Sequence, residues 1–124
     1  MRKSLRLQFD GMFIQRERPD YRGRATPFRP APSYIALTLS ERSGQPVVSL
    51  LSVLSDEPGI DPADPHDWTQ HKQWRLPAFF AWVDGHPSFF EFGPVDSYAN
   101  RLEFSRADLQ TAADTVRRMV SAGF

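Results

Sequence analysis

The sequence predicts an α+β protein: an antiparallel sheet of roughly five or six strands connected by hairpins, with one C-terminal amphipathic helix packed on one face. Two observations indicate this class. Short apolar segments with strand-like alternation recur between turn-forming stretches, and one strongly periodic helical segment follows them. A chain of 124 residues is long enough for a single packed core, so we expect one domain over residues 1–124.

The first three strands are predicted from residue alternation and composition. Residues 5–9 alternate apolar and polar side chains, and the apolar pattern continues past Gly11, which indicates a half-buried strand with a bulge at the glycine. Residues 34–40 and 47–54 are rich in aliphatic and β-branched side chains and flank a turn-forming segment. They therefore predict a hairpin.

A second hairpin is predicted over residues 76–92. Its turn would be Asp84-Gly85, because a type I′ turn needs positive φ at both central residues and this dipeptide is a strong signal for it. Alternation from that turn distributes the large apolar side chains over both faces of the hairpin. One face would carry Phe80, Trp82 and Phe89, and the other Phe79, Val83 and Phe90.

A last short strand and the helix complete the predicted elements. Residues 98–104 contain a short alternating segment, and residues 105–122 repeat apolar side chains at helical spacing. Ser105 followed by Asp108 resembles a capping box, with Asp in place of the usual Glu or Gln, and Gly123 suits the C-terminal cap.

Two long loops divide the charge of the chain. Residues 1–30 hold eight basic and three acidic side chains, a net of +5, and the remainder has a net of −5. An Arg/Pro-rich loop is predicted over residues 17–33 and an acidic, Pro-rich loop over residues 55–73, because their prolines interrupt any regular period. Charge separated in this way can orient a partner, although the two regions could equally pair with each other or remain solvated.

A single helix covers only one face of such a sheet. Three arrangements would cover the other face: the long loops, curvature of the sheet into a partial barrel, or another chain. This question decides whether the aromatic side chains of the sheet form a core or an interaction surface.

The sequence contains few candidates for catalysis or metal binding. Nitrogen and oxygen ligands cluster in the acidic loop, but their spacing matches no recognised zinc or calcium pattern. Glu91, flanked by phenylalanines, is the best single candidate for acid–base chemistry. The chain has no cysteine and no phosphate-binding or nucleophile motif, so we expect no catalytic residue, no metal and no cofactor. The loop ligands are Asp61, Asp64, His66, Asp67 and His71.

We therefore expect a non-catalytic interaction module, of the inhibitor, immunity or adaptor kind, which binds another protein or a second copy of itself. One alternative is a nucleic-acid-binding protein that uses the arginines of the first loop, and another is a small enzyme or metal-binding protein that uses the Asp/His loop. The predicted partner-binding residues are Arg22, Arg24, Phe28, Arg29, Phe80, Trp82 and Phe89.

The same sequence favours a cytoplasmic location. Residues 1–15 alternate polar and apolar side chains and contain no apolar core of the kind found in export signals, and nothing approaches the length of a membrane span.

Overall fold

The computed structural model describes residues 4–17, 29–95 and 98–123. Its elements are the strands β1 (Leu5–Glu17), β2 (Arg29–Arg42), β3 (Gln45–Leu54), β4 (Thr69–Arg75), β5 (Phe89–Val95) and β6 (Tyr98–Phe104), and the helices α1 (Leu76–Asp84) and α2 (Arg106–Ser121). The strands form one six-stranded antiparallel sheet in the spatial order β4-β3-β2-β1-β6-β5. The sheet curls into a nearly closed barrel, which confirms the predicted α+β class.

Antiparallel order gives the barrel two different ends. At one end, which we call the helical end, β4 continues into α1 and β6 continues into α2. At the opposite end, which we call the loop end, β3 connects to β4 through residues 55–68, and β1 ends beside the start of β2. The acidic loop between β3 and β4 therefore lies at the end of the barrel opposite the helices.

Several predicted elements are confirmed. The hairpin of β2 and β3 turns at Ser43 and Gly44, both with positive φ. Strand β6 lies between β1 and β5. Helix α2 begins after Ser105, whose hydroxyl accepts a hydrogen bond of 3.3 Å from the Asp108 backbone N–H. The stripe that α2 buries consists of Leu109, Ala112, Ala113 and Val116.

The predicted hairpin over residues 76–92 is wrong. Residues 76–84 form helix α1, and residues 89–95 form β5, which pairs with β6 instead. Pro77 lies at the first helical positions, where its missing N–H costs no hydrogen bond. Phe79 and Val83, four residues apart, are the buried residues of the helix. The Asp84-Gly85 pair therefore ends a helix, and the positive φ falls on His86.

Both loop predictions need correction at one boundary. Arg29–Ser33 belongs to β2 although Pro30 and Pro32 lie in it. Strand β3 pairs with β2 only as far as Ser33, so residues 29–32 have a paired strand on the β1 side alone, and prolines are tolerated at such an edge. Similarly, Thr69–Gln73 belongs to β4, and the loop before it contains a short helical turn at Pro65–Asp67. Residues 18–28 are outside the described part of the chain.

Curvature of the sheet and packing of the acidic loop together cover both faces of the sheet. The inward-facing side chains of the strands form one core with the buried residues of both helices. On the outer surface, Trp68 from the acidic loop packs with Ala36 and Val53, and Ile60 lies against the same cluster. The indole Nε1 of Trp68 donates a 2.8 Å hydrogen bond to the Pro62 carbonyl, which ties this part of the loop to the indole that packs on the sheet.

Gly11 lies within a continuous register, paired with Ser33 on one side and Phe104 on the other, so the predicted bulge is absent there. The glycine instead permits close packing. A Cβ at this position would lie 2.2 Å from Ile35 Cδ1 and 2.7 Å from the Glu103 carbonyl oxygen.

We expect Gly11→Ala to lower the free energy of unfolding by about 1 kcal/mol, because the added methyl group overpacks the barrel wall. Urea denaturation measures the loss. Gly85→Ala is the matched control, since its Cβ would meet nothing closer than 3.4 Å, at the Trp82 carbonyl oxygen. Equal urea midpoints for the two variants would contradict this account of Gly11.

Candidate functional site

A pocket of about 370 Å³ lies at the loop end of the barrel. Its walls come from the end of β3, the start of β4, the acidic loop, and the aromatic side chains of β1 and β5. The residues that line it are Phe13, Ser52, Val53, Leu54, Glu57, Ile60, Asp67, Thr69, His71 and Phe92. It combines an apolar wall with a few polar groups, which is the usual composition of a small-molecule site.

A β-bulge places His71 in this pocket. Leu50 of β3 pairs with Lys72, whereas the next residue, Leu51, pairs with Gln70, so His71 is the extra residue of β4. Bulges of this kind re-aim a side chain relative to the alternation of the strand and are frequent beside functional sites. In a strand without a bulge, the alternation of neighbouring residues would fix the direction of the His71 side chain from that of Lys72. The bulge removes this constraint on His71.

Ser52 faces the barrel interior from β3. It pairs with Ile35 and is 7% exposed. A buried hydroxyl costs free energy unless it is hydrogen-bonded. The bond is supplied by His71, whose Nε2 lies 2.6 Å from the Ser52 Oγ. The two polar residues therefore depend on each other within a mostly apolar barrel interior.

The imidazole of His71 is neutral at pH 7. Burial lowers its pKa from the ordinary 6.5 to about 4, because the charged form loses its hydration. The ring also packs against Phe92, with 4.1 Å between ring centroids and 33° between the ring planes. A neutral imidazole has one donor and one acceptor nitrogen, so His71 can bond Ser52 with Nε2 and keep the opposite capacity at Nδ1.

The contact between His71 and Phe92 also joins the two edge strands of the barrel. Strands β4 and β5 are the two edges of the sheet, and two aromatic contacts join their described side chains. His71 contacts Phe92, and Trp74 contacts Phe90 with 5.8 Å between ring centroids. Aromatic packing, rather than a backbone ladder, thus brings the edges together, and the pocket lies at the His71–Phe92 end of this seam.

Local hydrogen bonds hold the acidic rim of the pocket in shape. The Asp67 Oδ2 accepts a 3.0 Å hydrogen bond from the Asp61 backbone N–H, and the Asp64 carboxylate accepts one from the His66 N–H at the start of the short helical turn. The Arg6 guanidinium lies over the Trp68 ring at 4.1 Å from its centroid. The rim is therefore an ordered turn structure anchored to the barrel.

A further polar group lies on β6, opposite the Phe92 that lines the pocket. Asn100 pairs directly with Phe92, and its side-chain Oδ1 is buried with no hydrogen-bond partner among the described residues. A buried acceptor without a donor destabilises the fold unless something supplies that donor.

The structure separates the members of the predicted partner-binding set. Phe80 and Trp82 lie on α1 and pack against the core, with Trp82 stacked on Trp74 at 4.8 Å between centroids. Phe89 is 42% exposed, and the Arg101 guanidinium lies 4.7 Å from its ring centroid. Arg22, Arg24 and Phe28 lie outside the described residues, as does the side chain of Arg29. Nucleic-acid binding through these arginines thus stays a prediction.

The Asp/His candidates are divided as well. Asp67 and His71 reach the same pocket, whereas Asp61, Asp64 and His66 take part in the turns of the loop. Within the described ranges, no group of three or more histidine and acidic side chains is arranged to hold a metal ion. Glu91 is exposed on β5 and lies opposite Arg101 in the register of β5 and β6.

Sequence reasoning missed Ser52, Phe13 and Phe92 as pocket residues. One signal was present for Ser52: it interrupts the apolar run of β3 at an inward position two residues beyond Leu50, where a buried hydroxyl needs a partner. Phe13 and Phe92 can be placed in the pocket only when the pairing of their strands is known. The hairpin predicted over residues 76–92 gave β5 the wrong partner.

Comparison of the chain with known protein families, characterised proteins and solved structures finds no match. Over residues 4–17, 29–95 and 98–123, no helix is long and apolar enough to cross a membrane.

Proposed function

We propose that this chain is a non-catalytic binding protein that takes a small organic ligand into the pocket at the loop end of its barrel. The observation that carries the proposal is the Ser52–His71 pair, set in an aromatic wall beside a pocket of about 370 Å³. Ligand sites in proteins commonly occupy 300–1,000 Å³, are mostly apolar, and contain a few fixed polar groups. The mouths of β-barrels are among their usual locations.

The low basicity of His71 favours binding over catalysis. A serine hydroxyl at 2.6 Å from an imidazole resembles the start of a nucleophilic pair. An efficient general base, however, has a pKa near the working pH, and burial holds the pKa of His71 at about 4. Among the described residues, no carboxylate is hydrogen-bonded to this imidazole to raise its basicity.

The proposal predicts that small aromatic and aliphatic molecules perturb one contiguous set of amides. In ¹H–¹⁵N NMR spectra, we expect shifts to concentrate at Ser52, Thr69, His71 and Phe92. Phe92→Ala should weaken binding about tenfold, because it removes most of one aromatic wall. Phe89→Ala, on the same strand but pointing outward, is the control and should leave the affinity unchanged. Scattered shifts, or equal affinities for the two variants, would contradict the proposal.

A second candidate function is the binding of another protein or a second copy of this chain through β5. It is supported by the exposure of Phe89 on an edge strand of the sheet. Size-exclusion chromatography with light scattering tests self-association, and Phe89→Asp should abolish it without unfolding the chain. A strict monomer that also recovers no stoichiometric partner would exclude this function. Phe80→Asp is unsuitable for the test because Phe80 packs against the core.

A further inference from the structure

Resting on the proposed function, we infer that the ligand of the pocket is a small organic cation: an amine with an apolar body. Three features of the pocket support this chemistry. They are the charge of its lining, the aromatic wall and the hydrogen-bond acceptors around it.

The charged side chains among the described lining residues are both carboxylates, Glu57 and Asp67. They belong to residues 55–67, which contain five carboxylates and no lysine or arginine. The neutral imidazole of His71 does not offset them. Glu57 is exposed and Asp67 is half-buried. Both negative charges attract a cation and repel an anion, and the effect is stronger at the partly desolvated Asp67 than in bulk water.

The apolar wall suits the body of such a ligand and part of its charge. Phe13 and Phe92 lie 5.9 Å apart between ring centroids, and Val53, Leu54 and Ile60 extend the apolar surface. The face of a phenyl ring attracts an ammonium group within about 6 Å of its centroid. A purely hydrated ion such as Na⁺ would gain nothing from this wall, which is why we infer an organic cation.

Acceptor oxygens are available for the N–H groups of an ammonium. Thr69, which carries a hydroxyl, lines the pocket, and Ser52 keeps a hydroxyl lone pair that is not used in the bond to His71. Asp67 is already oriented, because its Oδ2 is held by the Asp61 N–H. A carboxylate held in place loses little side-chain entropy on binding, so its charge-assisted bond to an ammonium is retained almost in full.

Three probes that share one ring and chain test the inference: phenethylamine, phenethyl alcohol and 3-phenylpropionate. They carry a positive, a neutral and a negative group, respectively, at pH 7. NMR titration of the intact chain in low-salt buffer gives each dissociation constant. We expect phenethylamine to bind about tenfold more tightly than the alcohol, and the carboxylate to bind most weakly. Added NaCl should weaken binding of the amine and leave the alcohol unaffected.

The variant Glu57→Gln/Asp67→Asn separates charge from shape. It should reduce the affinity for phenethylamine about tenfold and leave that for the alcohol unchanged. Asp56→Asn is the control: it removes a carboxylate from the same loop that does not line the pocket. A thermal melt of each variant shows that it is folded, and the salt dependence of the wild type gives the same answer without any substitution.

The outcomes distinguish this inference from the proposed function. If the alcohol or the carboxylate binds in the pocket as tightly as the amine, the inference is overturned and the proposed function stands. If none of the three probes shifts the amides of the pocket at millimolar concentration, both are overturned. Tight binding of the amine that survives Glu57→Gln/Asp67→Asn also overturns the role of the carboxylates.

Discussion

Replacement of Phe79 by alanine should lower the free energy of unfolding by about 3–5 kcal/mol, the largest effect expected from a single substitution in this chain. Phe79 is 0% exposed, and its ring lies 5.7 Å from that of Trp74 and 5.4 Å from that of Phe80 between centroids. Alanine would leave a cavity between α1 and the barrel that these large rings cannot fill by relaxing. Urea denaturation, with the slope compared between variants, measures the loss.

Phe89→Ala is the matched control for this experiment. The deleted group is the same, but Phe89 is 42% exposed on the outer side of β5, so we expect a loss below about 1 kcal/mol. In the hairpin predicted from the sequence, both phenylalanines would belong to the same ribbon, on opposite faces. Similar losses for the two variants would therefore argue for that hairpin and against helix α1.

The sequence predicted those elements whose signals are local. The alternation of β1, the hairpin of β2 and β3, and the cap and stripe of α2 each depend on residues within one segment, and each is confirmed. The prediction for the α1 segment was wrong because two local signals compete there. Pro77 is typical of a helix start, whereas Asp84-Gly85 is typical of a hairpin turn. With nine residues and aromatic side chains on several sides, α1 has no clear amphipathic stripe to decide between them.

The candidate site was less predictable because it depends on pairings between distant residues. His71 was named as a ligand of the acidic loop, but its partner Ser52 lies 19 residues away and meets it only through the register of β3 and β4. The bulge that aims His71 inward has no signature in a polar edge strand such as TQHKQWR. Phe92 reaches the imidazole because the sheet curls far enough for its edges to meet, which is a property of the whole barrel.

His71 should also make the fold sensitive to acid. The folded-state pKa of His71 is about 4, below the ordinary 6.5, so between pH 6.5 and pH 4 the unfolded chain binds a proton that the folded chain does not. The contribution of neutral His71 to the free energy of unfolding is therefore fully present above pH 6.5 and is lost progressively as the pH falls to 4. A pKa shift from 6.5 to about 4 corresponds to about 3 kcal/mol, and solvent screening of the half-buried ring reduces the expected loss to about 2 kcal/mol.

A comparison of urea unfolding across pH 4–7 for the wild type and His71→Gln isolates this contribution. Glutamine keeps a hydrogen-bonding group beside Ser52 but does not titrate, so the variant should lose less stability over the window than the wild type. Carboxylates protonate in both proteins, and their effect cancels in the difference. His86→Asn, at an exposed position whose positive φ asparagine tolerates, is the control and should follow the wild-type curve. If His71→Gln followed that curve too, the imidazole would be solvated rather than held neutral between Ser52 and Phe92, and the pocket would lose the polar centre on which ligand binding depends.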